Sequence, residues 1–572
     1  MKKQWQILKP NPHSVEILCR ELKCHPAIAA ILVNRHIDSA ENASRFIFAS
    51  LDQLKPPFSI KDMDAAVNRI LYALKHREKI LIFGDYDVDG ITATTILLEF
   101  FRFIGADVLY YIPHRINEGY GLKRSHILDV AFPKKVNLVI TVDCGSSSYD
   151  AVEAAKDVGI DVIVTDHHII SDTGPPAIAV VNPKRIDCNA GFDDLAGVGV
   201  AFYLLVCLRK KLRDVNFWKN RPEPNLKRFC DLIALGTLAD MAPLVSENRI
   251  LVKTGIDVIR SNIRPGLNAL MEISGIDPIF LDGNDMIFGL SPRLNSAGRL
   301  DHASIAVELL TTKKRETADQ IVRDLDNMNQ RRRDIENDIF AQIERHLYQN
   351  EHLFQKNTWV LMDGTWHLGV LGIVATRLMR KYFRPVVLIT LMNGTGKGSG
   401  RSIPGVNLYD ALLACADDLE TFGGHSKAAG LEIKPENIDK FKICLENAVN
   451  GMTTPEDFVP KITIDYELHF TDISTDLLNQ IETLKPFGNG NHEPLFAARN
   501  VNVAFSKIVG HHHRRMRLNQ SIGKTGTVFN AIQFNVDPNT PATEHFDQMA
   551  FRLRWNHWKG EKNAQIIVEN TS

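Results

Sequence analysis

Six carboxylates and two imidazoles stand at four places in the chain: Asp85, Asp87 and Asp89 in Gly84-Asp-Tyr-Asp-Val-Asp-Gly90, Asp143 in Asp143-Cys144-Gly145, Asp166-His167-His168, and Asp240. Brought together, the carboxylates would repel one another unless cations intervened. A mixed Asp and His set in which oxygen dominates suits Mn²⁺ or Mg²⁺. Two such ions about 3.5–4 Å apart, bridged by a shared carboxylate, are a common apparatus for phosphoester hydrolysis. Taken singly, each motif has a blander reading. A DxDxDG run is often a calcium loop or a solvated turn, and an Asp after a strand is often a helix N-cap. The calcium loop needs Glu at its twelfth position, which counted from Asp85 is Ile96. Four acidic sites in strand–helix register exceed what coincidence supplies.

The positioning elements are legible as apolar runs. Lys79–Phe83 (KILIF) precedes the first site, Asn137–Val142 (NLVITV) the second, Asp161–Thr165 (DVIVT) the third, and an apolar helix over 225–239 precedes Asp240. Helical spacing over 91–104, 124–132 and 149–158 alternates with these runs and with a β-like segment at 107–112. Such alternation predicts an α/β fold with a parallel sheet covered on both faces. In such sheets the chemistry lies beyond the carboxyl ends of the strands. Residues 313–347 are highly charged, yet Ile321, Leu325, Met328, Ile335, Ile339, Ile343 and Leu347 recur at helical spacing, predicting a long connector. A second α/β pattern runs from Trp359 to about residue 450. After Pro455 short β segments predict a small barrel or sandwich. The expected division is a lead-in over 1–55, a catalytic domain over 56–312, the connector over 313–350, a smaller α/β lobe over 351–454 and a β-rich domain over 455–572.

Composition bounds the function. The 572 residues carry 67 Lys+Arg against 68 Asp+Glu, so any nucleic-acid surface must be local. Eight scattered cysteines with no CxxC pair argue against a zinc ribbon or a disulfide scaffold. With no apolar leader and no apolar stretch of spanning length, the expectation is a soluble, cytoplasmic protein with no membrane partner.

The four ordered motifs resemble those of the DHH phosphoesterase superfamily. Gly84–Gly90, Gly236-Thr-Leu-Ala-Asp240 and Ser291-Pro-Arg-Leu-Asn-Ser-Ala-Gly-Arg299 resemble in particular the RecJ type of single-strand-specific DNA exonuclease. Many superfamily members carry His four residues before the acid that matches Asp87. Here Phe83 stands there, as in RecJ-type sequences, and Asp85 becomes the candidate to complete the first metal's shell. The resemblance implies two Mn²⁺ or Mg²⁺ held by Asp87, Asp89, Asp143, His167 and Asp240, with Asp143 bridging and His168 stabilising phosphoryl charge.

In the second lobe, Gly394-Thr-Gly-Lys-Gly-Ser-Gly-Arg-Ser402 reads as a glycine-rich loop able to cradle phosphate, or as a mobile turn. It is not a Walker A, because Gly398 follows Lys397. With Phe422-Gly-Gly-His-Ser-Lys-Ala-Ala-Gly430 it resembles the DHHA1 domain. That resemblance implies His425 near the scissile phosphate, Ser399, Arg401 and Arg115 around a 5′ phosphate, and Arg293, Asn295 and Arg299 as further strand contacts.

From Arg499 to Val536 six basic residues (Arg499, Lys507, Arg514, Arg515, Arg517, Lys524) stand without an acid, interleaved with Phe505, Phe529 and Phe534. That fits an OB-fold tracking a single strand, or a basic hairpin with Phe in its core; the resemblance favours the OB-fold. His511-His512-His513 reads as a polar loop rather than a metal tract. The implied function is 5′→3′ degradation of single-stranded DNA to 5′-mononucleotides in repair and recombination. A single-strand-binding protein and a RecQ-type helicase are the implied partners. The alternatives are a DHH phosphodiesterase acting on short oligoribonucleotides and an inactive strand-binding scaffold.

Overall fold

The computed structural model of the protein describes residues 3–571 apart from 171, 262–263, 511, 521–526 and 559–560. The apolar runs form a five-stranded, wholly parallel sheet in the order Val108–Tyr111, Ile80–Gly84, Leu138–Val142, Asp161–Thr165, Ala179–Val181. Alternate side chains go to opposite faces. Ile80, Ile82, Ile140 and Val142 join a core with Ile91, Phe100 and Val198 on one face, while Leu81, Phe83, Val139 and Val162 pack with Ile127 and Val152 on the other. The chain steps from Ile80–Gly84 outward to Val108–Tyr111 and then returns to the other side of Ile80–Gly84. The topological switch point therefore falls between Ile80–Gly84 and Leu138–Val142, where Asp85 and Asp143 begin the following loops. The expected helix over 124–132 is a shorter, wider π-helical segment, His126–Ala131.

The connector is a single helix, Arg315–Gln349, about 50 Å long at 1.5 Å per residue. Its first half buries Ala318, Ile321, Val322 and Leu325 in the catalytic core, and its second half buries Ile339, Phe340, Ile343 and Leu347 in the core of the second lobe.

That lobe is a mixed sheet ordered Thr421–His425, Ala428–Ile433, Thr395–Arg401, Val386–Met392, Trp359–Met362. The glycine-rich segment is thus not a loop. It is a central strand whose amides are used in the ladder. A Cβ on Gly396, Gly398 or Gly400 would come within 2.8–2.9 Å of Ile433, Leu431 or Leu408. The glycines make room for packing on one face, which leaves Lys397, Ser399 and Arg401 on the other.

The C-terminal strands Phe496–Val509, His513–Asn519, Val528–Gln533, Glu561–Thr571 and His545–Trp558 close into a five-stranded barrel through pairing of the first with the last. Helices Pro12–Leu22 and Pro26–Asn34 bury Leu18, Ile28 and Leu32 in one core with Leu477, Phe496 and Phe551 of this region, and strand Gln4–Ile7 pairs in parallel with Lys461–Ile464. The lead-in thus packs against the barrel end of the chain. Among the described residues, no helix is long and apolar enough to cross a membrane.

Candidate active site

The strand ends converge as the apolar pattern requires. Asp87 caps helix Val88–Ile104, its Oδ1 accepting from the Asp89 and Gly90 amides at 2.9 and 3.2 Å. The bland reading of an N-cap is therefore true of Asp87. Asp85, Asp87 and Asp143 bring one carboxylate oxygen each within 4.8 Å of one another; Asp143, His167 and His168 do the same, as do Asp89, His167 and Asp240. Asp143 joins the first group to the second, and His167 the second to the third. Asp89 accepts from the Gly197 and Val198 amides at 2.7 and 2.8 Å, which fixes its carboxylate against a second helix start. Gly197 is obligatory there, since a Cβ would sit 2.7 Å from Asp143 Oδ1.

The electrostatics of the cluster point to cation binding. Burial, followed by neighbouring acids, pushes Asp85, Asp89 and Asp143 well above the usual carboxylate range, and Asp240 up to about 7. Burial and the adjacent His168 push His167 down to about 3, so its imidazole is neutral. The neutral ring leaves Nε2 buried and without a hydrogen-bond partner. That Nε2 lies 3.0 Å from Asp143 Oδ1, and both atoms, with Asp85 Oδ1, are buried without a hydrogen-bond partner. Two acceptors facing at that distance require positive charge between or beside them. The donor set of neutral imidazole and crowded carboxylates fits hard divalent cations.

Phe83 packs against His126 and Tyr111 at 4.9 and 5.9 Å between ring centroids. Asp85, two residues on, belongs to the group with Asp87 and Asp143.

His168 behaves differently from His167. Burial alone would lower it, but its 2.8 Å hydrogen bond from Nδ1 to Asp166 and the charge of Asp166 push it up to about 9. Asp166, which the sequence left without a role, accepts from the amides of Ser146, His167 and His168 as well. Its carboxyl stays well below the usual range, because the His168 bond and charge outweigh burial. The Tyr120 hydroxyl lies 3.1 Å from His168 Nδ1 and 3.3 Å from the Asp143 carbonyl. Tyr120 was not foreseen either; its flanking glycines, Gly119 and Gly121, were the available signal. His425 arrives from the second lobe and stacks nearly parallel to His168, with centroids 6.4 Å apart.

A second cluster carries the opposite charge. Arg115 lies over the Tyr86 ring at 4.7 Å. Arg299 donates to the Gly369 carbonyl at 3.0 Å, and Arg401 Nη1 lies 3.2 Å from Ser399 Oγ. Burial, then the charges of Arg115, Arg332 and Arg401, push Arg299 down to about 9; burial and Arg115 push Arg401 down to about 10. Arg332, from the connector, was not anticipated. Asn295 stands one turn before Arg299 on the same helix face. Arg293 is held elsewhere, donating to Asp326 on the connector at 2.8 Å and to the Gly289 carbonyl at 2.7 Å.

The architecture has known counterparts. Family models match residues 79–237 as "DHH family, N-terminal domain", 355–451 as "DHHA1 domain" and 464–570 as "RecJ OB domain". The single-stranded-DNA-specific exonuclease RecJ of Salmonella typhimurium is 35% identical over all of this chain and 99% of its own length. The chain belongs to the RecJ family. The crystal structure of RecJ with Mn²⁺ from Thermus thermophilus superimposes with a TM-score of 0.84 at 28% identity, covering all of this chain and 79% of that one. The Mg²⁺ complex from the same organism gives 0.77 at 27% identity, covering 99% and 78%. Both metals anticipated from the donor set are thus bound by RecJ structures sharing this fold.

On the RecJ-type barrel, the sequence-predicted basic face is sorted by strand alternation. Phe505 pairs with Arg517 and Lys507 with Arg515, placing these four exposed side chains on one outer face. Arg499 is taken by Glu467, Arg514 is buried against the Thr540 and Pro541 carbonyls, and Phe529 lies in the barrel core. Phe534 is exposed. His513 opens a strand rather than lying in a loop. His511 and Lys524 lie outside the described residues.

Proposed function

We propose that this protein is a divalent-metal-dependent exonuclease that degrades single-stranded DNA 5′→3′ to 5′-mononucleotides. The observation that carries the reading is Asp143 joining two ligand groups, with its Oδ1 unpaired against a neutral His167. Asp85, Asp87, Asp89, Asp143, His167 and Asp240 would hold the two ions, with Asp143 between them. When bound, Mn²⁺ or Mg²⁺ would activate a water and stabilise the leaving oxygen. The chain's own groups do the rest. His168, kept cationic by Asp166, stands where it can donate to a phosphoryl oxygen, and His425 approaches the same oxygens from the second lobe. Arg115, Arg299, Ser399 and Arg401 would grip a terminal 5′ phosphate. That grip sets the register, so the bond beyond the first nucleotide meets the acidic cluster. Phe505, Lys507, Arg515 and Arg517 would guide the trailing strand by stacking and charge.

The division at 56–312, 313–350, 351–454 and 455–572 is part of this reading, as are a cytoplasmic location, roles in repair and recombination, and a single-strand-binding protein and a RecQ-type helicase as partners. The test is digestion of an end-labelled single strand, with and without a 5′ phosphate, in Mn²⁺ and in Mg²⁺. Mononucleotide release from 5′-phosphorylated ends is expected. Release from 3′ ends, or preference for duplex or ribodinucleotide, would overturn it.

A further inference from the structure

A cavity of about 340 Å³ opens where helix Ala40–Ile47, the start of helix Ser246–Arg260 and the turn at Gly490 meet. It shares no lining residue with the active site. Arg35, Arg45, Lys55 and Arg249 line it against a single acid, Glu247, which Lys55 already pairs at 3.5 Å. Arg249 is almost wholly buried, 3.6 Å over the Phe46 ring, and among the described residues it donates only to the carbonyls of Phe46, Lys485 and Pro486. Arg35 donates through Nη2 to the His492 carbonyl, and its Nη1 is buried with no partner.

Among the described residues neither guanidinium forms an ion pair. Asp465 tempers Arg35 from a distance, and its Oδ2 is occupied by the Leu495 amide. Carbonyl dipoles satisfy hydrogen-bonding directions but supply no net charge, so Arg249 has no acid set against it and Arg35 has only the distant Asp465. The helix that starts at the cavity has Val245 at its N-cap, with no side chain capping its first amides. Those amides and the positive end of the helix dipole add to the same potential.

We propose that this cavity binds a small phosphate-bearing anion, from orthophosphate up to a mononucleotide. Guanidinium forks grip phosphate bidentately, and the volume falls at the lower end of the roughly 300–1,000 Å³ range of small-molecule sites. The site lies at the junction of the N-terminal helices, the catalytic domain and the segment leading to the barrel. Residues 241–245 alone separate Asp240 from Ser246, and Asn489 clamps that link through the Met241 carbonyl and the Leu244 amide. An occupant would brace this junction and raise thermal stability.

The test uses the full chain in EDTA carrying Arg401→Ala, which removes metal and weakens the active-site phosphate grip, so that Arg45 variants report the cavity. Orthophosphate and deoxyadenosine 5′-monophosphate are titrated by calorimetry, with the melting midpoint followed in parallel. One binding event with a rise in midpoint is expected, weakened at least tenfold by Arg45→Glu and restored by Arg45→Lys; Arg45 is exposed, so neither change threatens folding. Absence of saturable binding, or binding indifferent to Arg45→Glu, would overturn the proposal. So would a 5′-hydroxyl oligonucleotide that loses affinity on Arg45→Glu while neither small anion binds, because the cavity would then belong to the strand backbone.

Discussion

The two charged clusters of the active site are assembled in opposite ways. The acids come from one domain, all but Asp240 from loops and a helix start at the ends of adjacent strands whose register the ladder fixes, and Asp85, Asp89, Asp143 and Asp166 are buried where they stand. The arginines come from separate segments: Arg115 beyond an edge strand, Arg299 from a short helix, Arg332 from the connector and Arg401 from the second lobe. On the proposed function, bond cleavage is entrusted to a geometry that local folding completes, and recognition of the strand end depends on the 35-residue helix that joins two cores. Damage to the first cluster should abolish turnover on every substrate, and damage to the second should alter which ends are chosen.

The sharpest test of that contrast is Asp143→Ala. Hydrolysis of any single strand in Mn²⁺ is expected to fall by about 10³-fold or more, about 4 kcal/mol of barrier, whether or not a 5′ phosphate is present. Asp166→Asn should lower turnover by about 10–100-fold, because it releases His168 without removing a candidate ligand. Single-turnover kinetics should show the rate fall while strand affinity holds. Arg401→Ala should cost about 1.5–2 kcal/mol, or 10–30-fold, on 5′-phosphorylated strands, and little on 5′-hydroxyl strands. Equal losses on both would erase the distinction between the clusters. The smallest effect belongs to the barrel. Arg517→Ala should weaken binding of long strands and reduce the slope of log affinity against log salt by about 0.7, measured by fluorescence anisotropy, with dinucleotide turnover unchanged.

The acidic cluster was legible in the sequence because each acid follows an apolar run of strand length, and a parallel sheet leaves few other places for such residues. Asp240 was legible for the same reason at a helix end. The arginine cluster was reached by resemblance, since nothing local to Arg299 or Arg401 says that they meet. Arg332 was missed because on a charged helix it looks like any solvated residue. The glycines around Ser399 were misread as backbone freedom. Their alternation at 396, 398 and 400 was the signal of a strand packed tightly on one face. The docking of residues 12–34 against the barrel end was hidden because its partners lie more than 400 positions away, where periodicity carries no information.

Cations between Asp143 and its neighbours are what the proposed chemistry requires, and anomalous scattering from crystals grown with manganese measures them directly. Two peaks about 3.5–4 Å apart flanking the Asp143 carboxylate, one beside Asp85 and Asp87 and one beside His167, are the result it predicts. Crystals in saturating manganese that show no peak there, with His167 Nε2 protonated and bonded to Asp143, would contradict it.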